Sequence, residues 1–224
     1  MKDFSTDRSR NICPVSYNQM AHFWGIEGVY QLIDRELLGS GGKFQKEIFR
    51  YLLERPGKGL RPLLVLMCAG FGRCRTDVKP LAAGLEMLHL ATLVHDDIID
   101  GAYIRRGRNS INALWGAGAA VITGDMLFGK SLKLIGRYGD KAVKIYAKII
   151  ERMVSGEFQQ MEALFDYSLD ESSYFRIVGK KTAYFFSQCC RLGAWAAGVN
   201  HEQIKILERF GFFFLEWHFR YRMI

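Results

Sequence analysis

The stretch LAAGLEMLHLATLVHDDIID, residues 81–100, decides the fold. Leu81, Leu85, Leu88, Thr92 and Val94 belong to a long, otherwise apolar helix, and the run then ends in His95-Asp96-Asp97-Ile98-Ile99-Asp100. Asp96 and Asp100 are four residues apart, so both carboxylates leave one face about 6 Å apart along the axis, with Asp97 beside them. Three carboxylates this close repel one another, and a helix C-terminus is itself unfavourable for negative charge. Such a placement calls for a cation. Hard oxygen ligands with open positions suit Mg²⁺, which keeps several waters and shares itself with substrate phosphates. A bare DDxxD pattern also fits an acidic helix end that is simply solvated.

Outward from this stretch, apolar residues keep helical spacing almost throughout, without sustained period-two alternation between hairpin signals. The expectation is an all-α chain. Helices are predicted over about 15–38, 43–54, 61–72, 77–101, 116–138, 140–164, 170–178 and 180–198, with a last one from about 202. The breaks coincide with Gly39-Ser40-Gly41-Gly42, Arg55-Pro56-Gly57-Lys58-Gly59, Gly101, Gly107 and Tyr138-Gly139-Asp140. Gly116, Gly118, Ala119, Ala120, Gly124 and Gly129 make one helix small-sided, which suggests a central, closely approached helix.

The chain of 224 residues has 49% hydrophobic and 24% charged residues, a balance that excludes disordered and fibrous classes and allows a sizeable core. The longest uninterrupted apolar stretch, Leu63 to Gly72, is about half of what a membrane span needs, and Met1-Lys2-Asp3-Phe4 opens no signal-peptide core. The expectation is a cytoplasmic protein with no transmembrane segment. Cys13, Cys68, Cys74, Cys189 and Cys190 form no CxxC or zinc-ligand spacing, so reduced thiols are expected. A net charge of +8 favours an anionic partner. Dispersed basic residues and the absence of nucleic-acid motifs argue for a lipid headgroup or a phosphorylated small molecule rather than nucleic acid.

Two basic segments sharpen that. Arg105-Arg106-Gly107-Arg108 follows the aspartates and can clamp phosphate oxygens in bidentate fashion. Gly57-Lys58-Gly59-Leu60-Arg61-Pro62 is a glycine loop feeding a helix with proline in its first turn. Free N–H groups, the helix dipole and two side-chain charges there attract an anion. The segment is no Walker A loop, because no Ser or Thr follows the Gly-Lys pair.

GKGLRP, then His89, then DDIID followed by RRG, resembles the trans-isoprenyl diphosphate synthases, also called polyprenyl synthetases. Weaker matches continue through Gly124-Asp125, Gly156-Glu157 and Lys180-Lys181-Thr182 to about Gly211. The resemblance implies an all-helical isoprenoid synthase fold, usually dimeric, that joins an allylic diphosphate to isopentenyl diphosphate with loss of pyrophosphate. It implies Lys58, Arg61, His89 and Arg106 as the isopentenyl diphosphate site. Asp96 and Asp100 would be Mg²⁺ ligands, with Asp97 completing the acidic catalytic motif, and Arg105, Lys181 and Thr182 would hold the allylic diphosphate. His89 lies seven residues before Asp96, on the same face. Ala91 and Thr92, about one turn deeper and both small, resemble a chain-length position left open for a long product; they could equally just pack a neighbouring helix.

The resemblance fails at the C-terminus. A second aspartate-rich motif is expected shortly after Gly211, where the chain reads Phe212-Phe213-Phe214-Leu215-Glu216 and ends Arg222-Met223-Ile224. The expectation is therefore a single polyprenyl synthetase-like domain over 1–224, C-terminally truncated and divergent over about 212–224. It could be an active prenyltransferase, an inactive relative, or a subunit of a homodimer or of a heteromer with a related chain.

Overall fold

The computed structural model describes residues 24–73, 76–166 and 168–222 together with Gln19 and His22, side chains excepted for 216–222. Cys13, Cys74 and Met223 lie outside the described residues. Helices dominate: α1 (Ile26–Leu38), α2 (Lys43–Leu53), α3 (Leu60–Ala69), α4 (Lys79–Ile99), α5 (Ile111–Gly136), α6 (Asp140–Glu162), α7 (Glu171–Val178), α8 (Tyr184–Ala196) and α9 (His201–Arg222). A five-residue π-turn, Gly179–Ala183, joins α7 to α8. Local chemistry sets several of these ends. Pro80 sits at the start of α4, where its missing N–H has no helical partner to lose. Ser110 and Asp170 cap α5 and α7 by accepting from Ala113 N and Ser173 N at 3.4 and 2.6 Å.

Among the described residues the one departure from all-helix is a hairpin, β1 (Ile104–Arg105) and β2 (Arg108–Asn109), antiparallel with Ile104 opposite Asn109. Its two-residue turn, Arg106-Gly107, has φ of 53° and 76°, the double positive φ of a tight hairpin turn. No alternation signals it, because each strand has only two residues.

Leu81, Leu85, Met87, Leu88 and Ala91 of α4 are all at 0% exposure, so this helix is the axis of the molecule. α5 packs along one side of it, burying Leu127, Leu134 and Ile135, each worth roughly 1.5–3 kcal/mol. Ser131 Oγ donates to Gly84 O at 2.6 Å across that seam. α3 and α8 cross on the other side. α5 is thus peripheral, not central as its glycines suggest: Leu114, Val121, Ile122, Met126 and Leu132 on its outer face are exposed. Small residues permit close approach but do not say which face uses it. α5 is also long and apolar enough, by length and composition, to cross a membrane, a property that the search for unbroken apolar stretches did not find. Cys68, Cys189 and Cys190 are free and buried. Residues 212–222 continue α9 without a break, with Leu215 buried.

α3 and α8 touch where Gly193 meets Val65; an added Cβ would sit 2.2 Å from Val65 O. Alanine gains about 1 kcal/mol of helix propensity there, yet prying two backbones apart costs typically 1–3 kcal/mol or more. The clash wins, so Gly193→Ala is expected to lower the urea midpoint; an unchanged or higher midpoint would show that this crossing is loose.

Candidate active site

A cavity of about 450 Å³ opens beside the C-terminal half of α4. Its wall is divided. Arg61, His89, Asp96, Glu157, Lys181 and Thr182 supply the charged and polar part, while Phe128, Ile150, Met153, Val154, Phe158 and Met161 supply an apolar part. Four elements and one turn converge here: α3 brings Arg61, α4 brings His89, Thr92 and Asp96, α5 brings Phe128, α6 brings Glu157 and its apolar neighbours, and the π-turn brings Lys181 and Thr182.

Asp96 is half-buried on this wall, and burial raises its pKa, with the nearby Glu157 and Asp100 carboxylates pushing the same way against Lys181 and Arg105. The carboxylate therefore holds its charge at a cost. Lys181 Nζ pairs with Glu157 and donates to Gln160 Oε1 at 3.2 Å. Lys180 reaches Gln159 Oε1 at 3.0 Å. The π-turn makes this possible: one extra residue per turn re-aims the two lysines at α6, and Gly156 leaves room, since a Cβ there would lie 2.8 Å from Lys181 N.

The three aspartates do not share a role. Asp97 turns away from the cavity, is only 4% exposed, and accepts from Arg105 Nε at 2.5 Å. Its pKa is raised first by burial, against the Arg105 hydrogen bond. Asp97 and Arg105 face a second, much smaller cleft of about 50 Å³, together with Arg106 and Arg108. Asp100 is exposed and caps α4, its N–H bonded to Asp96 O at 2.8 Å. Ala91 is not on the cavity wall; it is fully buried in the core, because one residue along a helix is a 100° rotation, and Thr92 takes the wall position instead.

The basic loop and the hairpin are tied together. Arg106 Nη1 donates to Arg55 O at 2.9 Å and Arg55 Nη1 donates back to Arg106 O at 3.2 Å. Lys58 is exposed between them and α3. Gly59 has φ 64°, and a Cβ there would lie 2.6 Å from the Tyr30 hydroxyl, so only glycine starts α3 in this way. Arg61 lies against the rings of Phe185 and Phe186, 4.9 and 4.6 Å from their centroids, and its buried Nε has no hydrogen-bond partner. An unpaired donor in a desolvated guanidinium is a vacancy for an anion's oxygen. His89 faces Arg61, Arg106 and Arg105, and burial, followed by these positive neighbours, drives its pKa well below 6.5. It is a neutral imidazole.

Sequence reading missed Glu86, which is 2% exposed and faces Arg61 and Arg106. A signal was present: it is the only acid between Leu81 and Val94, three residues before His89 and so on a shared face. His95 was quoted without a role; it lines the cavity and its Nε2 lies 3.2 Å from Val121 O.

Comparison with known proteins finds relatives over most of this chain. Residues 43–214 match the family model described as polyprenyl synthetase. Heptaprenyl diphosphate synthase component 2 of Geobacillus stearothermophilus is 39% identical over 163 residues, covering 72% of this chain and 51% of the relative. Nonaprenyl diphosphate synthase of Mycobacterium tuberculosis is 33% identical, covering 84% of this chain and 56% of the relative. A polyprenyl synthase from Caulobacter crescentus, crystallised with calcium and isoprenyl diphosphate, superimposes with a TM-score of 0.83 at 30% identity, over 88% of this chain and 61% of that one. This chain spans about half the length of the relatives it matches.

Because folded His89 binds its proton only well below pH 6.5, the unfolded chain takes up a proton first as pH falls. Stability conferred by the neutral imidazole is complete above that value and is lost on acidification, with a limiting slope of about 1.4 kcal/mol per pH unit. His89→Gln is expected to flatten the urea-stability profile between about pH 6.5 and pH 5. An unchanged slope there would contradict the neutral assignment.

Proposed function

The chain belongs to the polyprenyl synthetase family, and from that premise we propose that it joins an allylic prenyl diphosphate to isopentenyl diphosphate, releasing pyrophosphate and a longer polyprenyl diphosphate. The observation that carries this reading is the divided cavity, in which one charged wall and one apolar wall match the two halves of a prenyl diphosphate. In the proposed reaction the allylic C–O bond breaks and its electron pair leaves with the diphosphate. The allylic carbon then bonds the terminal alkene carbon of isopentenyl diphosphate, and loss of one proton restores an allylic double bond.

The allylic diphosphate is read at the Asp96 end, where Lys181 and Thr182 offer donors and Arg105 stands nearby. Two carboxylates one turn apart, Asp96 on the cavity wall and Asp100 exposed at the end of α4, are hard oxygen donors that fit a divalent cation, Mg²⁺ by preference. Among the described residues no group of three or more ligating side chains stands ready, so substrate oxygens and water complete such a site. Bound there, the cation supplies neutralisation of charge on the departing diphosphate. Isopentenyl diphosphate is read at Lys58, Arg61, His89 and Arg106, where His89, being neutral, donates one N–H without adding to the charge. The apolar wall keeps water from the reacting carbons. Asp97 serves indirectly, by holding Arg105.

A second reading, a subunit completed by another polypeptide, draws on one observation. The cavity's α6 rim is open, with Phe158 and Met161 more than half exposed. Two relatives are named as component 2 of heptaprenyl diphosphate synthases.

Condensation of radiolabelled isopentenyl diphosphate with an allylic primer, with Mg²⁺ and with chelator, tests the proposal. Asp96→Asn is expected to lose about 100-fold or more of any turnover, on the scale of losing one charge-stabilising contact. Mg²⁺-independent turnover would count against it, and turnover only after adding a second polypeptide would favour the subunit reading. Thr92→Phe is expected to shorten the product by filling the wall position one turn below Asp96. Ala91→Phe is expected to destabilise the core by roughly 1–3 kcal/mol instead; a longer or unchanged product from Thr92→Phe would remove Thr92 from the chain-length wall.

A further inference from the structure

Glu86 sits in the middle of the most apolar stretch of α4, and glutamate is almost never fully buried unless something answers its charge. Among the described residues it makes no ion pair within contact distance. Its carboxylate lies 3.4 Å from the Tyr30 hydroxyl, and that same hydroxyl lies 3.4 Å from Gly57 O. The Tyr30 hydroxyl in turn occupies the space that a side chain at Gly59 would fill. Both glycines flanking Lys58 therefore touch one phenol, and the phenol touches Glu86. From the other side Glu86 is the carboxylate that acts on Arg61, and Arg106 of the hairpin acts on it as well. Arg106 also closes on the loop: a Cβ at Gly57 would meet its Nη2 at 2.7 Å.

We propose that Glu86 is a positioning residue for the isopentenyl diphosphate site: it accepts the single proton of the Tyr30 hydroxyl, fixing the phenol that packs against Gly57 and Gly59, and its charge draws on the Arg61 and Arg106 guanidinia. This rests on the reading of Lys58, Arg61 and Arg106 given above. Without a buried negative charge behind them, two guanidinia and a lysine repel one another and spread until a ligand arrives, so the ligand would have to gather them at the expense of affinity. A carboxylate behind the pair gathers them in advance. Burial raises the Glu86 pKa, and Arg61, Arg106 and the Tyr30 hydrogen bond offset this in part, so the carboxylate's charge leans on those partners. A plain structural role would need only the hydrogen bond to Tyr30, and glutamine could supply that.

Glu86→Gln separates the two roles, because it keeps the shape and the polar contact while removing the charge. Calorimetry on the full chain with isopentenyl diphosphate, and separately with an unreactive allylic thio-diphosphate plus Mg²⁺, reads them. The expected result is isopentenyl diphosphate binding weakened by about tenfold, with the allylic analogue within about twofold, since only one anion site loses its aim. Tyr30→Phe, which leaves the carboxylate in place, is expected to weaken the same ligand by a smaller factor and supplies the answer if Glu86→Gln does not fold. Equal weakening of both ligands would mean general loosening and overturn the proposal, as would unchanged or tighter isopentenyl diphosphate binding in Glu86→Gln. A wild-type chain that binds no isopentenyl diphosphate would overturn the functional reading itself, a different and distinguishable failure.

Discussion

The whole arrangement depends on one constraint: an apolar, largely buried helix ends in three carboxylates. Carboxylates at a helix C-terminus, facing one another and partly desolvated, are stable only if cations come to them. The fold answers each differently. Asp97 gets Arg105 from the hairpin, Asp100 stays exposed, and Asp96 stays on the cavity wall with a raised pKa and only partial compensation from Lys181. The uncompensated remainder at Asp96 is what a bound cation would relieve.

The second electrostatic problem lies deeper. Arg61 is desolvated enough that burial lowers its pKa, and its support comes from Glu86 and from two phenylalanine rings. His89 stays neutral among arginines. The region is thus positive by construction and poorly screened, the condition under which an anion binds strongly and bidentate donors work best. Loop and hairpin are tied to each other through the reciprocal Arg55 and Arg106 hydrogen bonds.

Helix content and most helix ends were legible in the sequence because apolar spacing and glycine punctuation are local signals. What escaped was set by partners. The hairpin is invisible in Ile104-Arg105-Arg106-Gly107-Arg108-Asn109, where two-residue strands have no period and the positive φ of Arg106 is imposed by its turn. The π-turn could not be read from Gly179-Lys180-Lys181-Thr182-Ala183, since it exists to aim lysines at α6. The glycines of α5 suggested a central helix, yet only Gly124 and its neighbours face α4, while Gly118 and Gly129 look into open space. Arg61, His89, Thr92, Asp96, Lys181 and Thr182 do converge on one cavity. Ala91 does not, for a 100° rotation decides it, and Glu86 was overlooked because an acid inside an apolar run draws less notice than a cluster at its end.

The most direct test of the account is a crystal structure of the chain with Mg²⁺ and an unreactive allylic thio-diphosphate. The account expects the diphosphate against Asp96 and Lys181, a cation bridging it to Asp96, and the prenyl chain running along Phe128, Met153 and Phe158. A ligand whose hydrocarbon points to Arg61 and His89, or whose diphosphate rests on the small cleft at Asp97 and Arg105 with the large cavity empty, would contradict it.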